Sequence, residues 1–503
     1  MISTHYDVVI IGSGPGGASV AYGLAGHGAR VLLLERGDFL PSEPENWDSV
    51  AVFGEHRYKT GEFWLDERSS KTFRAGNHYW VGGNTKMYGA ALTRPRRSDF
   101  DEFVYPDGVS PKWPIDYDDL SSFYSKAEQI LKVHGNLGED PSEPKHDSPY
   151  PFPAIPHEPY IQKLSDGLAA QRLVPLHMPM GVDLSSGGRC QYCGTCDGFP
   201  CKVMAKSDAE SCLVRPALKH GNVHMLTNTY AVRLKTDESG SFVRSVECNR
   251  NQTTIEFTAD TFVVSCGAVN SASLLLRSAN AMHPNGLSNR SGMVGRNYMM
   301  HNNAVVLGID PKRRNSSVFQ KTLLLNDWYL PGEHTSTPLG SAQLIGKMQP
   351  SMLKASMPIL PMGAANWIAS HSHEWWLLTE DLPDPNNRIT IAPNGGVNIH
   401  YKPNNRQSLY RLAKHLKNAL RKAGFPIVLT RYPGMEVTSH QAGTVRFGND
   451  SAKSVLNSWC QSHDVDNLYV VDASFFPSLP AMGPTLTIVA QGLRVAQRLQ
   501  RVA

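Results

Sequence analysis

The chain has 503 residues, of which 41% are hydrophobic and 19% are charged, and this excludes a disordered chain and a coiled coil. The 49 basic and 45 acidic side chains leave a net charge of +4 without a basic block, which excludes nucleic acid as the main partner. Because no stretch reaches about 18 uninterrupted apolar residues and the polar start has no signal-peptide pattern, we expect a cytoplasmic protein that does not associate with membranes.

The first forty residues predict one βαβ unit. Residues 7–11 are short, β-branched and followed by glycine, which is typical of a buried strand. A glycine-rich turn leads into a small-residue helix over 18–26, and residues 30–34 predict a second buried strand. Glu35 follows that strand directly. The unit therefore carries a G-x-G-x-x-G turn and a terminal acid in register.

This pattern indicates a dinucleotide site. Gly12 permits the tight turn, Gly14 admits a pyrophosphate close to the backbone, and Gly17 lets the helix approach the strand. Glu35 can accept hydrogen bonds from an adenosine ribose and would repel the extra phosphate of NADP. The motif alone leaves FAD and NAD open.

Further dinucleotide-domain elements are predicted in the middle and at the end of the chain. A buried strand ends at Gly267, and another is predicted before the last helix. A discontinuous cofactor domain with a second domain made of insertions is expected. The other predicted elements are a helix over 116–133, strands over 223–234, 241–257 and 467–472, and helices over 268–278, 406–423 and 485–501.

Several motifs resemble the glucose–methanol–choline (GMC) oxidoreductases, a family of FAD-dependent alcohol oxidases and dehydrogenases, and they follow that family's order. The N-terminal unit ends in Glu35-Arg36-Gly37, and Gly82-Gly83-Asn84-Thr85-Lys86-Met87-Tyr88-Gly89 follows it. The remaining matches are Trp113-Pro114-Ile115, Cys266-Gly267-Ala268, Gly295-Arg296-Asn297, Pro385-Asn386-Asn387-Arg388, His440-Gln441-Ala442-Gly443-Thr444, residues 467–474 and Pro484-Thr485-Leu486-Thr487.

The resemblance implies an α/β fold with a discontinuous Rossmann-like FAD-binding domain and an α+β substrate domain whose β-sheet covers the flavin. The expected FAD-binding domain comprises residues 1–40, 71–96, 202–300 and 440–503. The substrate-binding domain and insertions comprise 41–70, 97–201 and 301–439. Within the family, residues 82–92 and 193–206 most resemble the bacterial branch of pyranose oxidases and C-glycoside 3-oxidases.

By the same resemblance, FAD is the cofactor and its binding residues can be named. The ADP half would be held by the first glycines and Glu35, with Val232 beside the adenine. Asp472 would approach the ribityl or pyrophosphate region, and the last helix would begin near the flavin pyrimidine. The cofactor-binding residues expected are Gly12, Gly14, Gly17, Glu35, Arg36, Gly83, Asn84, Tyr88, Gly89, Val232, Cys266, Gly267, Asp472, Ala473, Pro484 and Thr485.

The expected reaction is oxidation of a secondary hydroxyl of a sugar or glycoside to a ketone. A base takes the hydroxyl proton, a hydride goes to flavin N5, and the electrons pass to oxygen or another acceptor. His440 stands at the family's catalytic position and is the expected base. His301 is a further candidate, with a structural role at the domain junction favoured instead.

One departure from the family pattern concerns the residue before Pro484. The family has Asn or His there, whereas this chain has Gly483, which offers no polar side chain. His440 acts alone, or Gln441 or Asn84 supplies the missing contact, or the space admits a bulkier substrate or another reaction. The alternatives are oxidation of a non-sugar natural-product alcohol and a non-redox flavin-dependent lyase.

Two further clusters leave alternatives open. Cys190, Cys193, Cys196 and Cys201 have spacings that can ligate a metal, form a disulfide or remain as thiols, and thiols are favoured. Trp367, Trp375 and Trp376 could form an aromatic wall for a sugar ring or pack in the core of a sheet.

Overall fold

A run of β-branched residues at His5–Ile11 forms the middle of a seven-stranded sheet in the computed structural model, which describes residues 4–185, 187–435 and 440–501. Its parallel strands are buried on both faces, as their apolar sequences require. Across the sheet the strands are Val223–Leu226, Val31–Leu34, His5–Ile11, Thr253–Val264, Val243–Arg250 and Thr229–Thr236, and Leu468–Val470 pairs in parallel with the end of Thr253–Val264.

Several helices share one core with this sheet, and three of them pack against one another. Pro15–Leu24 follows the first strand and packs against Thr485–Leu499, so the two ends of the described chain meet. Asp118–Ile130 also packs against Thr485–Leu499, and the hydroxyls of Tyr124 and Thr487 lie 3.0 Å apart. The sequence predicted all three helices, with ends that differ by a few residues.

A six-stranded sheet forms the second core. Helix Arg406–Lys422 is basic on one face and apolar on the other, and its buried leucines pack on this sheet together with helix Pro159–Ala169. The basic face therefore faces solvent, as expected. Across the sheet the strands are Ile427–Arg431, Asn302–Ile309, Ser372–Thr379, Ser341–Leu344, Leu323–Leu325 and Pro175–His177.

A two-stranded pairing connects the two cores. Met299–Met300 pairs antiparallel with Gln441–Ala442, directly before the six-stranded sheet begins at Asn302. This pairing places His301 and His440 side by side. The other strands form smaller sheets: Phe63–Asp66, Lys71–Arg74, Arg388–Ile391 and Val397–His400; Val133–Gly135, Phe152–Pro153 and Met180–Gly181; Phe103–Tyr105 and Gly108–Ser110.

The remaining helices are short. The α-helices are Arg215–Ala217, Ala268–Arg277, Pro350–Ser356 and Met362–His371. Single turns of tighter or wider helix occur at Pro44–Trp47, Val50–Gly54, Gly83–Lys86, Arg97–Phe100, Glu210–Val214 and Ala473–Phe475. Among the described residues, no helix is both long and apolar enough to cross a bilayer.

Three details differ from the sequence expectations. The strand predicted over 241–257 is two strands, because Asn251 and Gln252 adopt left-handed backbones with φ of 49° and 66° between them. The strand predicted over 223–234 is two strands, because Asn228 adopts a left-handed backbone with φ of 54° between them. Helix Asp118–Ile130, expected in the substrate domain, packs in the same core as the seven-stranded sheet. The domain boundaries themselves stay a prediction.

Candidate active site

A large cavity opens at the carboxyl ends of the parallel strands, where open α/β sheets bind ligands. It contains about 1320 Å³ of space without protein atoms, including the space that is open to solvent at its mouth. Its wall includes the residues that follow three strands, namely Gly12, Glu35 and Ser265. At another part of the wall lie His440 and Gln441. One cavity therefore joins the glycine-rich turn to His440 and Gln441.

The glycine-rich turn has the conformation that its sequence predicts. Gly12 has a φ of 101°, and a Cβ there would overlap the backbone of Ser265. A Cβ on Gly17 would overlap the carbonyl oxygen of Gly12, so the helix lies close to the strand. At Gly14 a Cβ would meet no atom within 4 Å. The turn thus leaves an open cradle over Gly14, on the cavity wall.

Glu35 is fixed beside this cradle. Its Oε2 accepts hydrogen bonds from the N–H and hydroxyl of Ser13, at 3.1 and 2.6 Å, and its Oε1 accepts from the N–H of Gly37 at 2.9 Å. The carboxylate is therefore held in one orientation on the cavity wall, as a ribose-binding acid requires.

An aromatic sandwich continues this part of the wall. The guanidinium of Arg36 lies 3.7 Å from the ring centroid of Tyr79 and 4.8 Å from that of Tyr230. The hydroxyl of Tyr230 accepts a hydrogen bond from Arg277 at 2.5 Å. Sequence reasoning found Arg36 but missed Tyr79 and Tyr230, because neither belongs to a motif and only the fold brings them together.

Three helices begin at the cavity. Their first residues, Pro15, Ala268 and Thr485, all lie on its wall. The first N–H groups of a helix have no partner within the helix and carry a partial positive charge. These ends favour an anionic ligand such as a pyrophosphate.

Together, the open cradle at Gly14, the fixed carboxylate of Glu35 and the three helix N-termini fit FAD. Gly83 continues the cradle, because a Cβ there would lie 3.2 Å from the Cα of Gly14. The residues of this chain that would hold the cofactor are therefore those of the glycine turn, Glu35, Gly83 and the starts of the three helices.

His440 lies at the wall of the same cavity and contacts His301. Nε2 of His301 donates a hydrogen bond to the carbonyl oxygen of Pro480 at 2.7 Å, so its Nδ1 carries a lone pair. The Nδ1 atoms of the two histidines lie 3.0 Å apart. His440 must then donate from Nδ1, and its Nε2 is left with the lone pair. The fold thus fixes His440 in the tautomer of a base.

Both imidazoles are neutral in this environment. Burial lowers the pKa of His440 to about 4; the charge of Lys321 lowers this pKa further, and that of Asp197 opposes the effect. Burial lowers the pKa of His301 to about 3; a positive charge on His440 would lower this pKa further, and the hydrogen bond to Pro480 opposes the effect. His440 is therefore ready to accept a proton at neutral pH, although its pKa lies below the near-neutral value that is ideal for a general base.

Asn84 and Gln441, the two amides expected from the sequence to compensate for Gly483, both lie on the cavity wall. The Oδ1 of Asn84 accepts a hydrogen bond from the N–H of His78 at 2.9 Å, which leaves its Nδ2 as a free donor. The amide of Gln441 has no hydrogen-bond partner among the described residues. The structure thus supplies a donor of fixed orientation in Asn84 and an unrestrained one in Gln441.

Most of the other expected site residues also lie on the cavity wall, and three do not. On the wall are Gly12, Gly14, Glu35, Arg36, Gly83, Asn84, Tyr88, Cys266, Gly267, Asp472, Ala473, Pro484 and Thr485. Gly17 lies behind it, and Gly89 contacts Asp197 and Lys321 instead. Val232 is absent from the wall, where Tyr230 and Ala231 stand instead. The strand pairing skips Val232 at a register shift between Ala231 and Arg233.

Asp472 is buried and holds the turn before helix Ala268–Arg277. Its Oδ2 accepts hydrogen bonds from the N–H of Gly267 at 3.0 Å and the hydroxyl of Ser271 at 2.5 Å. Its Oδ1 accepts from the N–H of Ser474 at 2.8 Å. Burial raises the pKa of this carboxyl, and the hydrogen bonds oppose that rise. Asp472 therefore orients the helix start that faces the cavity.

All eight cysteines lie in the described ranges and are free thiols. Within those ranges, no three metal-ligating side chains are brought close enough to hold an ion. Cys193 is exposed, whereas burial raises the pKa of Cys196 to about 12. The run of cysteines therefore has the form of separate thiols.

The three tryptophans do not form one wall. Trp375 is fully buried in the core beneath the six-stranded sheet. Trp367 is exposed and stacks on His371. Trp376 is half-buried on the opposite face of the strand from Trp375, because successive residues of a strand point to opposite sides. Only Trp376 is placed where it could contact a ligand above that face.

The sequence is similar to known flavoenzymes along its whole length. Family models described as GMC oxidoreductase match residues 177–303 and 383–492, and one described as FAD dependent oxidoreductase matches 7–98. Paromamine 6'-oxidase of Streptomyces fradiae is 31% identical, and 6'''-hydroxyparomomycin C oxidase of Streptomyces lividus is 30% identical. Each alignment covers 98% of this chain and 91% of the relative.

The fold is also similar to that of a solved enzyme. Pyridoxine 4-oxidase of Mesorbium loti superimposes with a TM-score of 0.67 at 18% identity, over 99% of each chain. The cradle, the base on the cavity wall and these similarities agree. The chain belongs to the GMC oxidoreductase family and is an FAD-dependent enzyme that oxidises alcohols.

Proposed function

We propose that the protein oxidises a hydroxyl of a sugar or glycoside to a carbonyl, with His440 as the base. The observation that carries the proposal is the contact between His301 and His440, which leaves the lone pair of His440 on Nε2 at the cavity wall. The similarity to oxidases named for paromamine and 6'''-hydroxyparomomycin C supports a sugar-containing substrate. The expected secondary position of the hydroxyl and the placement in the C-glycoside 3-oxidase branch stay predictions.

In the proposed reaction the hydroxyl proton moves to Nε2 of His440 as the carbon–hydrogen bond breaks. FAD, when bound, supplies the acceptor for the hydride. The Nδ2 of Asn84 donates to the substrate oxygen while negative charge develops there. Throughout the reaction, Nδ1 of His301 accepts a hydrogen bond from the Nδ1–H of His440, and this bond keeps the imidazole of His440 oriented. We propose oxygen or another small acceptor as the final recipient of the electrons.

The visible spectrum of the FAD-loaded protein, recorded without oxygen, tests this proposal. Methyl glycosides of glucose, galactose and xylose are added separately, and bleaching of the flavin band reports hydride transfer. We expect at least one to bleach the band, and His440→Ala to slow bleaching by about 10²–10⁴-fold, the usual contribution of a general base. Bleaching only by non-sugar alcohols, or an unchanged rate in His440→Ala, would contradict the proposal.

A further inference from the structure

A buried ion pair outside the cofactor cradle joins two distant parts of the chain. Nζ of Lys321 lies 2.6 Å from Oδ2 of Asp197, and the side chains are 6% and 21% exposed. Lys321 precedes strand Leu323–Leu325 of the six-stranded sheet, and Asp197 lies in the cysteine-containing segment. The proposed mechanism uses neither residue.

The pair has unused hydrogen-bonding capacity. Oδ2 of Asp197 accepts from Lys321 and from the N–H of Gly346 at 3.0 Å. Its Oδ1 has no hydrogen-bond partner among the described residues, and it is not fully enclosed. Nζ of Lys321 has three hydrogens and one described acceptor. The pair therefore keeps an acceptor and up to two donors for a ligand.

Gly89, which itself lies off the cavity wall, contacts this pair. A Cβ on Gly89 would overlap both Oδ1 of Asp197 and Nζ of Lys321, so the two charged groups rest against bare backbone. The preceding residue, Tyr88, lies on the wall of the cavity that also contains His440. The charge of Lys321 lowers the pKa of His440, and the charge of Asp197 opposes that effect.

One face of the six-stranded sheet lies beside the pair. Four residues are paired in a row across four neighbouring strands and therefore share that face: Val305, Trp376, Gln343 and Leu324. Leu324 packs in the same apolar cluster as Tyr88 and Ala90, which shows that this face is turned toward the cavity segment. Gly346, whose N–H donates to Asp197, follows the end of the strand Ser341–Leu344 that contains Gln343.

The polar groups of this face are also unused. Neither the amide of Gln343 nor the indole N–H of Trp376 has a hydrogen-bond partner among the residues that the structure describes. A sugar presents C–H faces and hydroxyl groups. The ring of Trp376 matches a C–H face, and the amide of Gln343 and the Asp197–Lys321 pair match hydroxyl groups. The carboxylate and ammonium compensate each other, so the site favours neutral hydroxyls over a cationic amine.

We propose that Asp197 and Lys321, with Gln343 and Trp376, form a subsite that binds the hydroxyl groups flanking the one that is oxidised. Asp197 accepts from one hydroxyl, and Lys321 donates to its neighbour. The inference rests on the proposed function, because it names the part of the substrate that the site recognises. The competing role is a structural one, in which the ion pair only attaches the cysteine-containing segment to the sheet.

The test compares Asp197→Asn and Lys321→Met with wild type by anaerobic flavin bleaching. The substrates are the methyl glycosides of glucose, galactose and xylose, and the monodeoxy analogues of whichever reacts fastest. We expect each variant to raise the half-saturating sugar concentration at least tenfold and to leave the limiting rate within threefold. Wild type should discriminate at least tenfold against one monodeoxy analogue, and this discrimination should fall below twofold in Asp197→Asn.

Controls separate binding from a structural role. Asp464→Asn breaks the contact of another largely buried carboxylate with Arg290 and should leave the discrimination unchanged. If Asp197→Asn fails to fold, Gln343→Leu keeps the ion pair and should still weaken binding of the parent glycoside. A lower melting temperature with unchanged discrimination would overturn the subsite and leave the proposed function standing. If no glycoside bleaches wild type, the proposed function fails, and the subsite fails with it.

Discussion

The imidazoles of His301 and His440 meet through their Nδ1 atoms at 3.0 Å, and both are neutral at physiological pH. Two neutral imidazoles can make this contact only if one donates and the other accepts. The carbonyl oxygen of Pro480 sets these roles. It accepts a hydrogen bond from the single N–H of His301, so Nδ1 of His301 must be the acceptor and His440 the donor. A main-chain atom thus determines the reactive nitrogen of His440 through an intervening side chain.

Replacing His301 should change catalysis without emptying the cofactor site. His301→Phe removes the acceptor for His440, and we expect the limiting rate of flavin bleaching to fall about tenfold, the equivalent of one hydrogen bond of about 1.4 kcal/mol. His301→Gln retains a carbonyl acceptor and should stay within threefold of wild type. In wild type the rate should fall only as pH drops below about 5, when His440 begins to be protonated. Equal losses in both variants would contradict the tautomer argument.

A side chain at Gly14 should remove the cofactor and spare the fold. In Gly14→Val the new atoms enter open space on the cavity wall, where the cradle would receive the pyrophosphate. Gly221→Val is the matched control, because its Cβ also meets nothing within 4 Å and it does not line the cavity. The flavin-to-protein absorbance ratio should fall only in Gly14→Val, with circular dichroism unchanged in both. Full flavin content in Gly14→Val would refute this placement.

The amide of Asn84 should carry the role that Gly483 cannot. Asn84→Ala is expected to slow flavin bleaching by about 10²–10³-fold, as loss of an oxyanion-hole donor does. A Cβ on Gly483 would lie 3.4 Å from the carbonyl oxygen of Ala91, which is ordinary contact, so Gly483→Asn should be tolerated. We expect the double variant Asn84→Ala/Gly483→Asn to bleach the flavin at least ten times faster than Asn84→Ala alone. A larger loss in Gln441→Ala than in Asn84→Ala would assign the role to Gln441 instead.

Glu380 should make the protein less stable at alkaline pH. Burial raises its pKa from 4.5 to about 8. A carboxyl whose pKa is raised by folding contributes its full stability below pH 4.5, and that stability is lost as pH rises through 8. Glu380→Gln should therefore gain stability over wild type by up to about 1.4 kcal/mol per pH unit across this range. Urea unfolding at pH 5, 7 and 9 measures the difference. The exposed Glu102→Gln should show no such trend.

The cysteines should react as separate thiols. Iodoacetamide is expected to modify the exposed Cys193 first, while burial and a pKa of about 12 should protect Cys196. Peptide mass spectrometry gives the order, and elemental analysis gives the metal content. Stoichiometric zinc or iron, with all four cysteines of residues 190–201 protected, would show that the run binds a metal.

Local patterns predicted the cofactor cradle well. The turn at Gly12, the helix after it and the position of Glu35 depend on neighbours in sequence, and the structure has them in register. The aromatic sandwich around Arg36 escaped prediction because Tyr79 and Tyr230 come from distant segments.

The proposed catalytic pair also required the fold. His301 and His440 are 139 residues apart and are joined by a pairing of only two residues on each strand. A pairing that short has no periodicity to read from a sequence. The side-chain placement of Val232 likewise depends on a register shift that alternation alone does not reveal.

The seven-stranded sheet also has a consequence for biosynthesis. Its first strand pairs with Thr253–Val264, which in turn pairs with Leu468–Val470, and the first helix packs on the last. A ribosome that adds about 5–20 residues per second therefore makes the apolar segment His5–Ile11 tens of seconds before its last neighbours emerge. During that interval the nascent chain exposes unpaired strand edges, which chaperones can protect from aggregation.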